Sequence, residues 1–421
     1  MTTNQKSSSS YVMSITIIGI LFFIFGFVTW VNGTLIPYLK IACELQTDFQ
    51  SYLVATAFFI AYTVMALPSS LVLEKTGYKK GMSIGLFIMA IGAALFIPAA
   101  QARDYNLFLV GLFIIGTGLA LLQTASNPYV SIIGPIESAA SRISIMGICN
   151  KVAGIIAGLV FGYIALSDAD GIEARLKAMD EVTRAAELDA LAARVIVPYM
   201  ILTAVLILLA VGILFSPLPD IKEEGDGTVS DSSAGKTSVF QFPHLMLGVL
   251  AIFCYVGVEV MAGDTIISYG KSLGIELSTA RYFTQATLAF MLIGYVVGIA
   301  TIPKKLSQDT ALKISAIIGV LFTIVAVLAS GLISVAGIAL LGLANALMWP
   351  AIFPLAIEGL GKFTKTGSAL LIMGIAGGAI LPLVYGKLSE SVGTQQAYWL
   401  MVPCYLYILY FAMKGHKAGR A

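Results

Sequence analysis

The sequence predicts an all-α membrane protein of twelve transmembrane helices, arranged as two pseudo-symmetric six-helix halves. Three observations carry that prediction: an apolar composition, a series of apolar runs long enough to span a bilayer, and a repeat between the two halves of the chain. Of the 421 residues, 58% are hydrophobic and only 11% are charged, and the mean hydropathy is +0.92. Soluble domains carry about a quarter charged residues, so this composition cannot build a water-facing surface. The charges gather instead into short clusters between long apolar runs, which is the pattern of a membrane bundle.

A spanning helix takes about 20 apolar residues. Runs of that kind predict helices over 12–38, 49–73, 81–101, 105–133, 143–166 and 194–216, then over 243–268, 282–302, 310–329, 332–359, 367–388 and 394–413. The first run is too long for a leader core and lacks a small-residue cleavage site, so it is expected to stay as the first span. Pro217-Leu218-Pro219-Asp220 and Glu223-Glu224-Gly225-Asp226-Gly227 mark a flexible linker. The expected organisation is therefore a first half over 1–216, a cytoplasmic linker over 217–242 and a second half over 243–421.

Lysine and arginine placement orients the bundle. With the N-terminus inside, inner segments hold 15 Lys and Arg while the short outer loops hold five: Lys40, Arg103, Lys271, Arg281 and Lys387. One longer outer loop, 167–194, holds four more beside seven acids. The bias predicts a multi-pass inner-membrane protein with both termini cytoplasmic. In the longer loop, Ile172, Leu176, Met179 and Thr183 have the spacing of a short amphipathic surface helix; it is read as a solvated cap rather than a gating lid.

The repeat shows in particular residues. Asn127-Pro128 in the fourth helix corresponds to Pro350 in the tenth. Ile145-Met146-Gly147-Ile148 in the fifth returns as Ile372-Met373-Gly374-Ile375 in the eleventh, shifts of 222 and 227 residues. Two six-helix halves around a central cavity follow from it.

Several function classes fall away. The net charge of +2 leaves no nucleic-acid footprint, and Cys43, Cys149, Cys254 and Cys404 form no CxxC pair. Only His244 and His416 represent histidine, too few for a histidine metal site. Neither a cofactor nor a structural metal is expected. Gly81-Met82-Ser83-Ile84-Gly85 matches a nucleophile elbow but opens a membrane helix without a histidine partner, so an enzyme is not expected. Asn32-Gly33-Thr34 matches a glycosylation sequon but lies inside a span. Gly154, Gly158 and Gly162 form a small-residue face suited to close helix packing.

Ionisable groups inside spans are costly, about 2.5–3.5 kcal/mol on insertion scales, and persist where they face a cavity or a partner. Lys151, Glu259 and Asp264 are the three that stand well inside. By helical rise Lys151 lies roughly 9–12 Å from Glu259 in depth. Asp264 is placed near the outer mouth, where water reaches it. The uncharged polar groups Asn32, Gln123, Asn127, Asn150, Gln285 and Asn345 fall at comparable depths. Amides offer a donor and an acceptor together, which matches neighbouring sugar hydroxyls. Trp30, Tyr62, Tyr255, Tyr295 and Trp349 offer faces for the apolar side of a pyranose.

The basic turn Leu73-Glu74-Lys75-Thr76-Gly77-Tyr78-Lys79-Lys80-Gly81 resembles the loop between helices 2 and 3 of the major facilitator superfamily. Gly26-Phe27-Val28-Thr29-Trp30-Val31-Asn32-Gly33-Thr34-Leu35-Ile36-Pro37, Gly118 to Tyr129, Ile145 to Lys151 and Gly257-Val258-Glu259-Val260-Met261-Ala262-Gly263-Asp264 resemble its fucose–galactose–glucose symporter branch. Within that branch they resemble the bacterial glucose/galactose transporters, over essentially the whole chain. Fucose–proton members carry acids where this chain has Gly33 and Gln123, and the resemblance implies that their proton route does not transfer. Lys151 and Glu259 resemble the glucose/galactose subgroup, where sodium coupling is known.

The resemblance implies a secondary active transporter that imports a hexose, glucose or galactose, by alternating access. The coupling ion is Na+ or H+, with sodium slightly ahead. An uncoupled sugar facilitator and a proton-coupled exporter are the alternatives. Asn32, Gln123, Asn127, Asn150, Gln285, Asn345 and Trp349 are the candidate substrate-binding residues. Glu259, Asp264 and Lys151 are the candidate cation-coupling residues, with a Na+ expected near Asn32, Thr34 and Glu259. The expected partners are the sugar and the lipid bilayer around a monomer.

Overall fold

The structure, a computed structural model, describes residues 2–132, 139–166, 170–218, 236–302 and 305–419. Among them are eleven continuous stretches long and apolar enough to cross a membrane. One of these, Asp48–Ala102, has 55 residues. A straight helix of that length would reach about 80 Å, well over twice the hydrocarbon thickness of about 30 Å. It folds back at Gly77, where φ is 75° and ψ is 170°, a backbone conformation that glycine adopts without a Cβ penalty. Its two arms bring the spans to twelve.

In chain order the spans are α1 (Tyr11–Ala42), α2 (48–76), α3 (78–102), α4 (Tyr105–Ile132), α5 (Ala139–Leu166) and α6 (Ile196–Phe215). The second half holds α7 (Pro243–Asp264), α8 (Phe283–Thr301), α9 (Gln308–Leu328), α10 (Gly331–Ile357), α11 (Thr366–Val392) and α12 (Thr394–Met413). A capping box opens α2: Gln50 N donates to Thr47 Oγ1 and Thr47 N donates to Gln50 Oε1. Among the described residues five of the helices are interrupted: α1 at Val31, α3 at Leu95, α10 between Asn345 and Met348, α11 by a 3₁₀ turn at Gly374–Ala376 and α12 by one at Tyr398–Leu400.

The halves repeat in packing as they do in sequence. The α2–α3 hairpin packs on α4 and α6, α1 packs on α5, and in the second half α8 packs on α10, α7 on α11, and α9 on α10 and α12. A Cβ on Gly26 of α1 would lie 1.8 Å from the Asn150 carbonyl of α5. The same close approach recurs 227 residues later with the roles exchanged, since a Cβ on Gly377 would lie 1.8 Å from the Phe253 carbonyl. Between the halves, α2 meets α11 and α5 meets α8, pairs that the repeat interconverts.

An even number of spans puts both chain ends at one end of the bundle, here the terminal end. The opposite, distal end carries the 167–194 loop. Its described part forms two helices, Ile172–Ala178 and Glu181–Ala193, rather than the single helix expected. The break falls at Met179, whose backbone is extended, because the Asp180 side chain caps the second helix by accepting from Val182 N and Thr183 N. Thr183 therefore faces water, while Ile172, Leu176, Leu188 and Leu191 are buried. Tyr38 OH donates to the Leu191 and Ala192 carbonyls, and Arg103 pairs with Asp189 at 2.7 Å, so the cap is fastened to α1 and to the α3–α4 connection.

Residues 219–235 of the expected linker, 167–169 of the loop, and Pro135 lie outside the described residues. The linker's last residues are anchored rather than free: Val239–Gln241 form a capped 3₁₀ turn, and Phe242 is buried beneath Lys236, whose Nζ lies 3.9 Å from its ring centroid.

Candidate functional site: a central cavity

A cavity of about 160 Å³ lies where the halves meet, lined by α1, α2, α4, α5, α7, α8, α10 and α11. Its polar side chains are held against one another. Lys151 Nζ of α5 lies 3.0 Å from Glu259 Oε1 of α7, an ion pair between the halves. Lys151 also stands 4.2 Å from the centroid of the Trp30 ring, close enough for a cation–π contact. Trp30 Nε1 donates to Asn150 Oδ1 at 3.2 Å, and Gln123 Nε2 donates to the Tyr62 hydroxyl at 3.0 Å. The lysine is 5% exposed. An ion pair so buried adds little net stability, but removing one partner strands the other charge.

Aromatic rings close the sides. Trp349 stacks on Phe353 with ring centroids 5.7 Å apart and tilts toward Tyr255 at 6.3 Å. Trp30, Tyr62, Tyr255 and Tyr295 complete the ring-bearing wall. A space that offers amides, hydroxyls, one carboxylate, one ammonium and flat apolar faces suits a small polyhydroxylated molecule. Its charge pair can also exchange partners with an entering ion.

The structure brings together Gln123, Asn127, Asn150, Trp349, Lys151 and Glu259. Rise along straight, parallel helices overstates the separation of Lys151 and Glu259, because spanning helices tilt by about 20° on average and a lysine chain is long. Asn32, Gln285, Asn345 and Asp264 are not in the lining. Asn345 Oδ1 accepts from the Tyr405 hydroxyl of α12 at 2.9 Å, away from the cavity. The Gln285 side chain lies in the α5–α8 seam against Gly158, and its amide, oriented to satisfy its neighbours, donates to the Arg281 and Tyr282 carbonyls at 2.6 and 3.1 Å.

Asn32 is fully buried beyond the break in α1, and Asp264 is 1% exposed rather than wet. The distal end is closed over Asp264 by Gly33, so the outer mouth expected there is shut. The expected grouping of Asn32 and Thr34 with Glu259 is likewise not met, because their neighbour Gly33 lies against Asp264, five residues and about 7.5 Å of rise further along α7.

Residues 18–382 match the model of the Major Facilitator Superfamily. The chain belongs to the major facilitator superfamily. This superfamily chain is 35% identical over 419 residues to the glucose/galactose transporter of Brucella abortus biovar 1 (strain 9-941), covering 99% of itself and 97% of that protein. It is 32% identical over 412 residues to the L-fucose-proton symporter of Escherichia coli (strain K12), covering 96% and 93%. The crystal structure of the superfamily transporter FucP in the outward conformation aligns with a TM-score of 0.74 at 31% identity, over 96% of this chain and 98% of that one. These relatives are transporters, and this superfamily member is a transporter, not an enzyme.

Sequence reasoning missed part of the lining: Phe22, Phe25 and Thr29 of α1, Phe59 of α2 and Ile375 of α11. Phe22, Phe25 and Thr29 sit three and four residues apart, the spacing of one helix face. That signal was present in a run otherwise apolar on all sides, where periodicity has little contrast.

Proposed function

We propose that this transporter imports a hexose, glucose or galactose, by cation-coupled symport with alternating access. The observation that carries the reading is the Lys151–Glu259 pair inside a cavity furnished with amides and aromatic faces. Gln123, Asn127 and Asn150 would exchange their present partners for sugar hydroxyls, and Trp349 would cover the apolar ring face. Glu259 would exchange Lys151 for a cation, which links ion entry to sugar entry. The relatives named for glucose/galactose transport support the substrate, and the lysine and arginine bias supports a cytoplasmic terminal end. The distal closure then makes this the state sealed toward the outside. The moving bodies are 1–216 and 243–421, tethered by 217–242.

Two coupling ions have support. The absence of acids at Gly33 and Gln123 favours sodium, whereas the L-fucose-proton symporter relative favours the proton. Uptake of labelled glucose, galactose and fucose into proteoliposomes under an imposed sodium gradient, a proton gradient or none decides. Accumulation of glucose or galactose above equilibrium under one gradient is expected. Equilibration without accumulation would make the protein an uncoupled facilitator, and absence of sugar entry would overturn the reading.

A further inference from the structure

Asp264, at the end of α7, lies outside the cavity and is 1% exposed. A Cβ on Gly33 of α1 would lie 3.0 Å from Thr284 Oγ1, 3.1 Å from the Gly263 carbonyl and 3.4 Å from Asp264 Oδ1. The carboxylate is therefore buried by the meeting of the two halves. Thr284 Oγ1 donates to the Gly263 carbonyl at 2.6 Å and spends its proton there. Among the described residues, Asp264 Oδ2, Thr34 Oγ1 and both amide atoms of Asn32 have no hydrogen-bond partner. A buried carboxylate oxygen left without a partner is a feature that native interiors avoid.

We propose that Asp264 is a second cation site, separate from the Lys151–Glu259 pair, where a proton or a sodium ion neutralises the carboxylate and so permits the distal end to close. This rests on the reading of the chain as an alternating-access, cation-driven transporter. A bare carboxylate in that position has lost its water and gained no donor, which is strongly unfavourable. When the halves part at the distal end, Gly33 withdraws and the same carboxylate is hydrated. The two states therefore differ in affinity for a neutralising cation, and a cation that binds the closed state better shifts the population toward it. Thr284 Oγ1 and the Gly263 carbonyl lie at the same contact and offer neutral oxygens. Of the titratable groups, Glu259 on the same helix and Tyr52 of α2 act on Asp264 electrostatically. At the contact itself, the side chain nearest to Gly33 besides Asp264 is the uncharged Thr284.

The distal seam also supplies a reporter. Ser389 of α11 donates to Asp48 Oδ2 of α2 at 3.2 Å between the halves. In a protein carrying Ser389→Cys, alkylation at position 389 is followed by peptide mass spectrometry and divided by the rate for the same thiol in the unfolded chain. In sodium-free buffer the ratio should rise with pH, by up to about tenfold per pH unit for the release of one proton. Restoration of protection at high pH by sodium, but not by choline, identifies sodium as an occupant, and restoration by neither leaves the proton. Asp264→Asn should stay protected at every pH and ignore sodium, while Glu259→Gln should keep a rise with pH, its midpoint displaced by the loss of the Glu259 charge. The proposal is overturned if Asp264→Asn keeps the response, if Glu259→Gln abolishes it, or if the parent's ratio is flat with pH with and without sodium. Should Asp264→Asn not be recovered from the membrane, the parent and Glu259→Gln profiles decide by the same criteria.

Discussion

The cavity and the distal seam are built from opposite materials. In the cavity, Lys151, Glu259, Gln123, Asn150 and Trp30 are each paired with a neighbour. In the seam, backbones and rings approach through glycines, and the polar atoms of Asn32, Thr34 and Asp264 are left without partners. Pairs between side chains can be exchanged for pairs with a ligand at modest net cost, because each broken hydrogen bond is remade. Glycine contacts cannot be exchanged; they are either made or parted. On the proposed reading, the first region binds and the second changes state.

The seam follows a regular course. Along α5 and α8, Gly162 meets Arg281, Gly158 meets Gln285, Gly154 meets Leu288, and Gly147 meets Tyr295. These contacts run from the distal end down to the cavity, which Gly147 and Tyr295 also line. Along α2 and α11, Tyr52 lies against Gly386 and the Thr56 hydroxyl donates to the Ala379 carbonyl at 2.7 Å.

The largest effect that separates the two regions is expected at Gly154. A Cβ there would lie 2.6 Å from Trp30 Cδ1 and 2.8 Å from Leu288 Cδ1, and neither a buried indole nor a packed leucine yields cheaply. Gly154→Val should cost about 1–3 kcal/mol in the closed state, lowering uptake about fivefold or more while equilibrium sugar binding is largely retained. Uptake at the parental rate would show that the seam does not have to close this tightly.

Within the cavity, Gln123→Ala should weaken sugar affinity by about 1–3 kcal/mol, since a hydroxyl in a dry site loses its partner. Calorimetric or fluorescence titration measures it, and unchanged affinity would remove Gln123 from the site. Asn345→Ala sharpens the boundary of the cavity. Its carbonyl oxygen is committed to Tyr405, so sugar affinity should stay as it is, while thermal stability drops by about 0.5–1.5 kcal/mol for one lost hydrogen bond. Smallest of all should be the effect of dividing the chain within 219–235. Co-expressed halves should still transport, because a sequence rich in glycine and acids has no apolar periodicity with which to pack. The cut must spare 236–242, where the capped turn and Phe242 are anchored. Loss of transport with both halves present in the membrane would make the tether structural.

Much of this was legible in the sequence. All twelve spans lie within a few residues of the apolar runs, and the repeat of Ile145 to Ile148 at Ile372 to Ile375 led to the paired halves. The small-residue face at Gly154, Gly158 and Gly162 is the packing surface that spacing indicated. Position along each span was legible too, because rise per residue is nearly constant. Direction around each helix was not. Asn32 lies two residues past Trp30, about 200° around the helix, and beyond the interruption at Val31, so it does not share the Trp30 face. Asn345 sits on the side of α10 toward α12, and Gln285 bonds back to the two residues just before its own helix. In helices apolar on every side, periodicity has no polar face against which to register, so depth selected the amides and could not sort them.

The most direct test of the coupling proposal is Glu259→Gln in proteoliposomes. The amide keeps the shape and much of the hydrogen bonding beside Lys151 but removes the negative charge that a cation would replace. Gradient-driven accumulation of sugar should be abolished, while sugar binding and exchange of labelled for unlabelled sugar across the membrane persist. Accumulation at the parental level under a sodium or proton gradient would contradict the assignment of Glu259 as the group that ties ion movement to sugar movement.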